Sequence, residues 1–252
     1  FTPKEANGFA DKLATPSERM TFEKENPEIK TEAGRSWWRI DEMAGDLKKI
    51  TTALNDKELK KEEHQKLQAE WLVKAGTLGH YVGDLGQPLH VTENYDGQLT
   101  EQKGIHAYFE DRVVDELYPQ IASEVQKSIT QKWSAFHKAN SEKTIRQLSV
   151  ALSLNSFAAL PKLLLLDKKI GRKNLKQATA AYHGMIVERI SLSALYLAEI
   201  WSRHLGWSYD GDRFYIFTST PAYDYPVSHK PGAESANESV NESPAAKSAE
   251  KK

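Results

Sequence analysis

The chain has 252 residues, a formal net charge of -1 and no cysteine. This length allows one domain with a sizeable core, and the near-neutral charge gives no whole-chain basicity that would favour nucleic-acid binding. Without cysteine, neither disulfides nor thiolate metal ligands can form. No apolar run approaches the roughly 20 residues of a membrane-spanning helix, so we expect no transmembrane segment.

The first half of the chain changes from irregular to helical patterning. Residues 1–35 contain three prolines and little periodicity, which predicts an irregular surface segment with room for one short helix. Apolar residues then recur at spacings of three and four, which predicts helices over about 41–54 and 57–85. Glycines at 76, 79 and 83 in the second of these predict close backbone approach to neighbouring helices or to a crowded site.

The second half continues the helical pattern. Helices are predicted over about 104–117, 120–139, 141–160 and 175–205, with Pro119 and Pro161 ending or interrupting two of them. No convincing alternating strand pattern occurs. We therefore predict an all-α multi-helix domain over residues 1–220. Residues 221–252 almost lack large apolar side chains, which predicts a disordered low-complexity tail.

The segment 80–110 has the spacing of a metal site. His80 and Asp84 are four residues apart on a predicted helix, and His106 and Glu110 repeat this spacing on the next. Side chains at i and i+4 project from one helix face. With His90 on the turn between the pairs, five nitrogen and oxygen donors can converge, a ligand set that suits Zn²⁺.

The loop between the two pairs has a polar composition and a turn at residues 96 and 97. Asn94, Tyr95 and Asp96 lie on this loop. They are candidates for lining the cleft and binding substrate, and a solvated turn is the alternative interpretation.

The central block resembles the superfamily of zinc-dependent phospholipases C and single-strand-specific nucleases. The resemblance is carried by HYVGDLGQPLH and GIHAYFED and is strong over about 71–115. It implies an all-α fold of the phospholipase C/nuclease type. It also implies one zinc site at His90, His106 and Glu110, a second zinc served by His80 and Asp84, and a bridge from Asp84 to a third. Glutamate at position 110 resembles the phospholipases more than the nucleases.

The resemblance has gaps upstream of this block. The family's remaining ligands are an N-terminal Trp, an early His, an Asp and a later His. This chain has Phe1 at its start and no histidine before His64. We expect the sequence to begin downstream of those ligands, and loss of the ligands is the alternative. One complete zinc site is therefore expected. The family's general base also lies upstream, so no catalytic base is assigned.

Three functions follow as hypotheses. The first is a zinc-dependent phosphodiester hydrolase, phospholipase C-like, in which metal-activated hydroxide attacks a phospholipid or another phosphodiester. The second is a nuclease of the same fold, acting on single-stranded nucleic acid. The third is a non-catalytic helical protein with an incomplete metal site. The resemblance also implies a secreted or periplasmic location.

Overall fold

A computed structural model describes residues 2–27, 34–56 and 58–204, together with two short strands beyond them. The fold is all-α, as predicted, with the helices packed as a bundle. The helices are α1 (Pro3–Lys12), α2 (Pro16–Glu25), α3 (Ser36–Leu54), α4 (Lys61–Gly86), α5 (Ile105–Ala107), α6 (Val114–Asn140), α7 (Ile145–Ile170) and α8 (Leu175–His204). A 3₁₀ turn (Pro88–Val91) follows α4, and a π-helical turn (Tyr108–Val113) joins α5 to α6.

The N-terminal segment is more regular than the sequence predicted. It forms two helices, each begun by a capping box in which a threonine and the glutamate three residues later bond each other's backbone N–H groups. The pairs are Thr2 with Glu5 and Thr15 with Glu18. A proline follows each threonine, where its fixed φ favours the first helical turn. The prediction of an irregular segment was wrong because prolines in a first helical turn, next to a capping box, favour helices rather than break them.

The N-terminal helix docks on the rest of the bundle through a small apolar cluster. Ala6 and Ala10 of α1 are buried against Trp38 of α3 and Val150 of α7. The indole N–H of Trp38 donates a 2.8 Å hydrogen bond to the carbonyl oxygen of Ala10. This tryptophan is therefore a core residue.

The main core lies where α3, α4, α7 and α8 meet. Its fully buried members include Ile40, Leu47, Leu78 and Leu148. They recur at helical spacing on their own elements, which is why periodicity predicted these helices. This cluster holds the last turns of α4, from which two of the predicted metal ligands project.

Two prolines lie inside helices rather than at their ends. Helix α6 continues through Pro119 and α7 through Pro161, so the predicted stops at these positions were wrong. An interior proline costs about 3 kcal/mol of helix stability. Apolar neighbours offset that cost by packing: Ile121 is 2% exposed and Leu163 is fully buried. Tertiary packing outweighs local propensity here.

The predicted close approach on α4 occurs at a different glycine. A Cβ atom at Gly76 or Gly83 would meet nothing within 4 Å, and one at Gly79 would make only an ordinary contact. A Cβ atom at Gly86 would lie 1.7 Å from Ser193 Oγ on α8. The prediction for the three earlier glycines was wrong, and Gly86 is the α4 glycine that lies closest to α8.

A second core lies under the segment that carries the candidate site. Leu89 of the 3₁₀ turn, Ile105 of α5 and Val113 of the π-helical turn are all fully buried. They pack with Tyr182 and Ile186 of α8. These buried residues anchor the two irregular segments: the 3₁₀ turn packs mainly on α7, and the π-helical turn contacts α8.

Beyond α8 in the sequence, Ser208–Tyr209 pairs antiparallel with Phe214–Tyr215; no alternating pattern predicted these two short strands. The predicted tail 221–252 and the predicted helix end at 205 lie outside the described residues. Among the described helices, α7 alone is long and apolar enough to cross a bilayer by length and composition. It packs against α1, α3, α4 and α8, as the core helix of a bundle does.

Candidate metal centre

The five predicted ligands come from four consecutive elements. His80 and Asp84 lie on the last turns of α4, and His90 lies in the 3₁₀ turn. His106 is in α5 and Glu110 is in the π-helical turn. Helix α4 ends at Gly86, and the side-chain oxygen of Gln87 caps the following 3₁₀ turn by accepting the N–H of Leu89.

Three of the five ligands form a compact triangle. His90 Nε2 lies 3.0 Å from His106 Nε2 and 3.1 Å from Glu110 Oε2, and the third edge, from His106 Nε2 to Glu110 Oε2, is 3.0 Å. Metal–ligand bonds of about 2.0–2.1 Å place two ligand atoms about 3 Å apart at right angles and about 3.4 Å apart in a tetrahedron. The triangle lies at the short end of that range.

The tautomer of His106 follows from its neighbours. Its Nδ1 atom lies 2.9 Å from the carbonyl oxygen of Tyr95. A carbonyl oxygen can only accept, so Nδ1 carries the proton and donates it, while Nε2 presents its lone pair to the triangle. The backbone N–H of His106 also donates to Asp96 Oδ1 at 3.3 Å. Both contacts come from residues 92–104, the 92–104 loop.

His90 is held from both sides. Its Nδ1 atom lies 3.3 Å from Asp84 Oδ1, and its Nε2 atom faces Glu110. A carboxylate behind a histidine is the usual outer partner of a metal-binding imidazole. Gln87 plays the same part for the carboxylate ligand, since its Nε2 donates a 3.0 Å hydrogen bond to Glu110 Oε2.

The hydrogen bond between His90 and Glu110 shifts the pKa values of both side chains. The hydrogen bond from His90 lowers the pKa of Glu110 to about 2, with further contributions from Gln87 and from the nearby imidazoles. The bond to Glu110 and the charge of Asp84 raise the pKa of His90 against the opposing effect of burial. The Nε2 atom of His90 therefore favours a proton that faces Glu110, and Nδ1 faces Asp84 on the opposite side of the ring.

His80 stands apart from the triangle. It is 72% exposed, and its Nε2 atom lies 3.4 Å from Asp84 Oδ2. Asp84 therefore contacts both His80 and His90, one through each oxygen. Within the described part of the chain, His90, His106 and Glu110 are the group of three whose ligand atoms lie within 4.8 Å of one another. The second and third zinc sites remain predictions.

The candidate substrate residues have different surroundings. Asn94 is buried and fixes the loop, since its Oδ1 accepts the N–H of Leu99 and its Nδ2 donates to Thr100 Oγ1. The Asp96 carboxylate accepts the backbone N–H of His106 in α5. Tyr95 has a residue exposure of 57%, so of the three it is the one whose side chain is open to a ligand.

One feature of the site had no signal in the sequence. Residues Tyr108–Val113 form a π-helical turn, a rare widening that often occurs at functional sites. It contains Glu110, and it lets a buried face with Phe109 and Val113 pack on the second core while the carboxylate faces the triangle. Spacing of four residues predicted a plain α-helix there.

The donor set fits a single divalent ion. Two neutral imidazole nitrogens and one carboxylate oxygen are ligands that zinc accepts, and three protein ligands leave positions for water or substrate. The side chains of His90, His106 and Glu110 are 23%, 30% and 43% exposed, so a small molecule can reach the triangle. The outer partners of each ligand are present on the chain itself.

Comparisons of this chain with protein-family models, with curated proteins and with solved structures find no match. The likeness to the zinc phospholipases and nucleases therefore rests on the motif residues.

Proposed function

We propose that this chain is a zinc-dependent phosphodiester hydrolase of the phospholipase C type. The observation that carries the proposal is the triangle of His90 Nε2, His106 Nε2 and Glu110 Oε2, with edges of 3.0–3.1 Å. The spacing of the ligands in the sequence, which resembles that superfamily, supplies the reaction class.

Zinc in such a site lowers the pKa of a coordinated water to near 7 and polarises a phosphoryl oxygen. The chain's own residues hold the ligands for that task. Asp84 and the Tyr95 carbonyl fix the two imidazole rings, and Gln87 fixes the carboxylate. Ligands held in this way need little reorganisation when a phosphodiester binds.

Two exposed side chains on the 92–104 loop bear on the substrate. Leu99 is 65% exposed and Tyr95 is 57% exposed, and the Tyr95 carbonyl touches a ligand. An exposed apolar residue on this loop favours the acyl chains of a phospholipid. An exposed aromatic ring favours stacking with a nucleic-acid base, which keeps the single-strand nuclease as the second candidate.

Hydrolysis assays test the proposal. Protein loaded with zinc is expected to cleave a chromogenic phosphodiester. It is also expected to hydrolyse phosphatidylcholine in vesicles faster than it cleaves a single-stranded oligonucleotide. Glu110→Gln is expected to lose at least about 100-fold in rate, by removing the anionic ligand. The matched control is Glu124→Gln, because Glu124 also pairs with a histidine, His183, but outside the triangle.

Each outcome has a distinct meaning. Faster cleavage of the oligonucleotide would show that the substrate is a nucleic acid rather than a phospholipid, and the assignment as a phosphodiester hydrolase would stand. Zinc binding without turnover on any phosphodiester contradicts the enzyme and favours a non-catalytic helical protein. No zinc binding, with no rise in melting temperature on adding zinc, contradicts the metal site itself.

A further inference from the structure

An ion pair with a buried carboxylate lies near the turn between α7 and α8. The guanidinium of Arg172 donates two 2.8 Å hydrogen bonds to the carboxylate of Asp167, one from Nε to Oδ1 and one from Nη2 to Oδ2. The Asp167 side chain is only 5% exposed. A two-pronged Arg–carboxylate contact fixes the direction of the remaining guanidinium N–H groups as well as its position.

Those remaining groups reach the 92–104 loop. Arg172 Nη1 donates to the carbonyl oxygen of Lys103 at 2.8 Å, and Nη2 donates to that of Gln102 at 2.5 Å. The Gln102 side chain enters the same network, since its Nε2 donates to Asp167 Oδ2 and to the Leu164 carbonyl oxygen at 2.8 and 2.9 Å. These are contacts between residues more than 60 positions apart.

The anchored residue then holds the part of the loop that orients the ligand. The backbone N–H of Gln102 donates to the Gly97 carbonyl oxygen at 2.9 Å. Tyr95 and Asp96, immediately before Gly97, make the two contacts that orient His106. Hydrogen bonds and the turn at Gly97 therefore connect the ion pair to the imidazole of His106.

Arg172 also approaches the residues on either side of His106 directly. Its guanidinium carbon lies 5.8 Å from the ring centre of Tyr108, two residues after His106. A Cβ atom at Gly104, two residues before His106, would lie 3.3 Å from Arg172 Nη1. The guanidinium is thus packed against both sides of the ligand's own turn.

We propose that Arg172 and Asp167 are positioning residues of the metal centre, which clamp the 92–104 loop and so hold His106 with its Nε2 atom toward the metal. This inference rests on the proposed metal site. Neither residue touches the triangle, so their effect on metal binding passes through Gln102, Lys103 and the loop.

The chain contains a matched pair that lacks this connection. Arg203 bonds the fully buried carboxylate of Glu199 and also the carbonyl oxygens of Asn140 and Lys143. It is likewise an arginine on a buried carboxylate that binds two backbone carbonyls, but it closes the turn between α6 and α7. Loss of either arginine removes the same types of contact, and only the loss of Arg172 releases the 92–104 loop.

The test compares Arg172→Met with Arg203→Met in the full chain, using Co²⁺ as a spectroscopic probe. Loss of an outer partner typically weakens metal binding 10–100-fold. We expect the Kd for Co²⁺ to rise about 10–100-fold in Arg172→Met, with a changed visible absorption. We expect no more than about a twofold change in Arg203→Met. Arg172→Lys keeps the charge and one donor direction, so its Kd should fall between wild type and Arg172→Met.

A second readout needs no metal. In the metal-free protein, ¹⁵N chemical shifts of the His106 ring report which nitrogen carries the proton. We expect a single Nδ1–H tautomer in the wild type and in Arg203→Met, and a mixture in Arg172→Met. If Arg172→Met does not fold, Asp167→Asn, which keeps the side-chain shape, replaces it in both measurements.

The outcomes separate the two proposals. If the wild type binds no Co²⁺, the proposed metal site is wrong. The tautomer of His106 in the variants then tests by itself whether Arg172 holds the ring. If the wild type binds Co²⁺ but both methionine variants have the same Kd and spectrum, the positioning role is wrong while the metal site stands. An unchanged tautomer in Arg172→Met also contradicts the clamp.

Discussion

The Nδ1 atom of His106 donates its proton to the carbonyl oxygen of Tyr95, 2.9 Å away, and this contact determines which nitrogen of the ring remains free. Because a backbone carbonyl has no proton to give, the ring cannot exchange its tautomer without breaking the bond. The lone pair on Nε2 is therefore directed at His90 and Glu110. Three donor atoms that stand 3.0–3.1 Å apart in this state form a preorganised ligand set.

Loss of a ligand should separate metal binding from folding. His106→Ala is expected to raise the Kd for zinc by at least about 100-fold, because two ligands remain where three were held. His183→Ala is the matched control, since His183 also pairs with a glutamate, at 3.1 Å, away from the triangle. Isothermal titration calorimetry measures both. Equal affinities in the two variants would contradict the assignment of His106 as a ligand.

Metal binding should release the proton that His90 holds. The bond to Glu110 and the charge of Asp84 raise the pKa of His90, and a metal at Nε2 must displace that proton. As pH falls below this raised pKa, zinc affinity should fall about tenfold per pH unit for one proton. Titrations in buffers of different ionisation enthalpy count the protons. Release of about one proton near pH 6 is expected, and pH-independent affinity between pH 6 and 8 would refute it.

Gly97 allows the turn that brings Tyr95 and Asp96 to the ligand. Its φ is +74°, and a Cβ atom there would lie 2.6 Å from the Gln102 carbonyl oxygen. Gly97→Ala is therefore expected to destabilise the protein by more than about 1 kcal/mol and to weaken zinc binding. Gly83→Ala is the control, since a Cβ atom at Gly83 meets nothing within 4 Å. Denaturant unfolding measures the difference, and equal stability of the two variants would contradict the role of the turn.

Asp167 should stabilise the protein except in acid. Burial alone would raise its pKa, but the hydrogen bonds from Arg172 and Gln102 lower it below the ordinary value. A lowered folded pKa gives stability that is fully present above the unfolded value of about 3.9 and is lost as pH falls through the folded pKa. Asp167→Asn is expected to cost about 1–3 kcal/mol at pH 7, less than a fully buried pair because Arg172 is partly exposed.

The difference between wild type and Asp167→Asn should then shrink as pH falls below about 4. Unfolding by denaturant at pH 7 and pH 3 measures it. Asp46→Asn is the control, because Asp46 also has a lowered pKa but belongs to an exposed pair with Lys49. It should cost less than about 1 kcal/mol at either pH. A pH-independent loss in Asp167→Asn would show that packing, not charge, matters there.

Much of the fold was predictable because it follows from local periodicity. The stripes on α3, α4 and α8 bury residues such as Leu47, Leu78 and Ile186, and these elements were predicted within a few residues. The N-terminal helices were also readable in principle, since Thr2 and Thr15 each precede a proline and a glutamate at capping-box spacing. Helix continuation through the prolines was not, because it depends on packing between distant segments.

The candidate site also has features that the sequence predicted and features that it did not. Ligand spacing in the sequence named the residues that meet at the triangle. It carried no sign of the π-helical turn around Glu110, which arises from how Phe109 and Val113 pack. The clamp of Arg172 on Gln102 joins residues 70 positions apart, and a single sequence gives no pairing between them.

The most direct test of the metal centre is the structure of the zinc-soaked protein, with anomalous scattering recorded on both sides of the zinc absorption edge. We predict a zinc peak within about 2.0–2.2 Å of His90 Nε2, His106 Nε2 and Glu110 Oε2, with His106 Nδ1 still bonded to the Tyr95 carbonyl. An anomalous map with no peak at the triangle, under conditions where the metal is in excess, would contradict it.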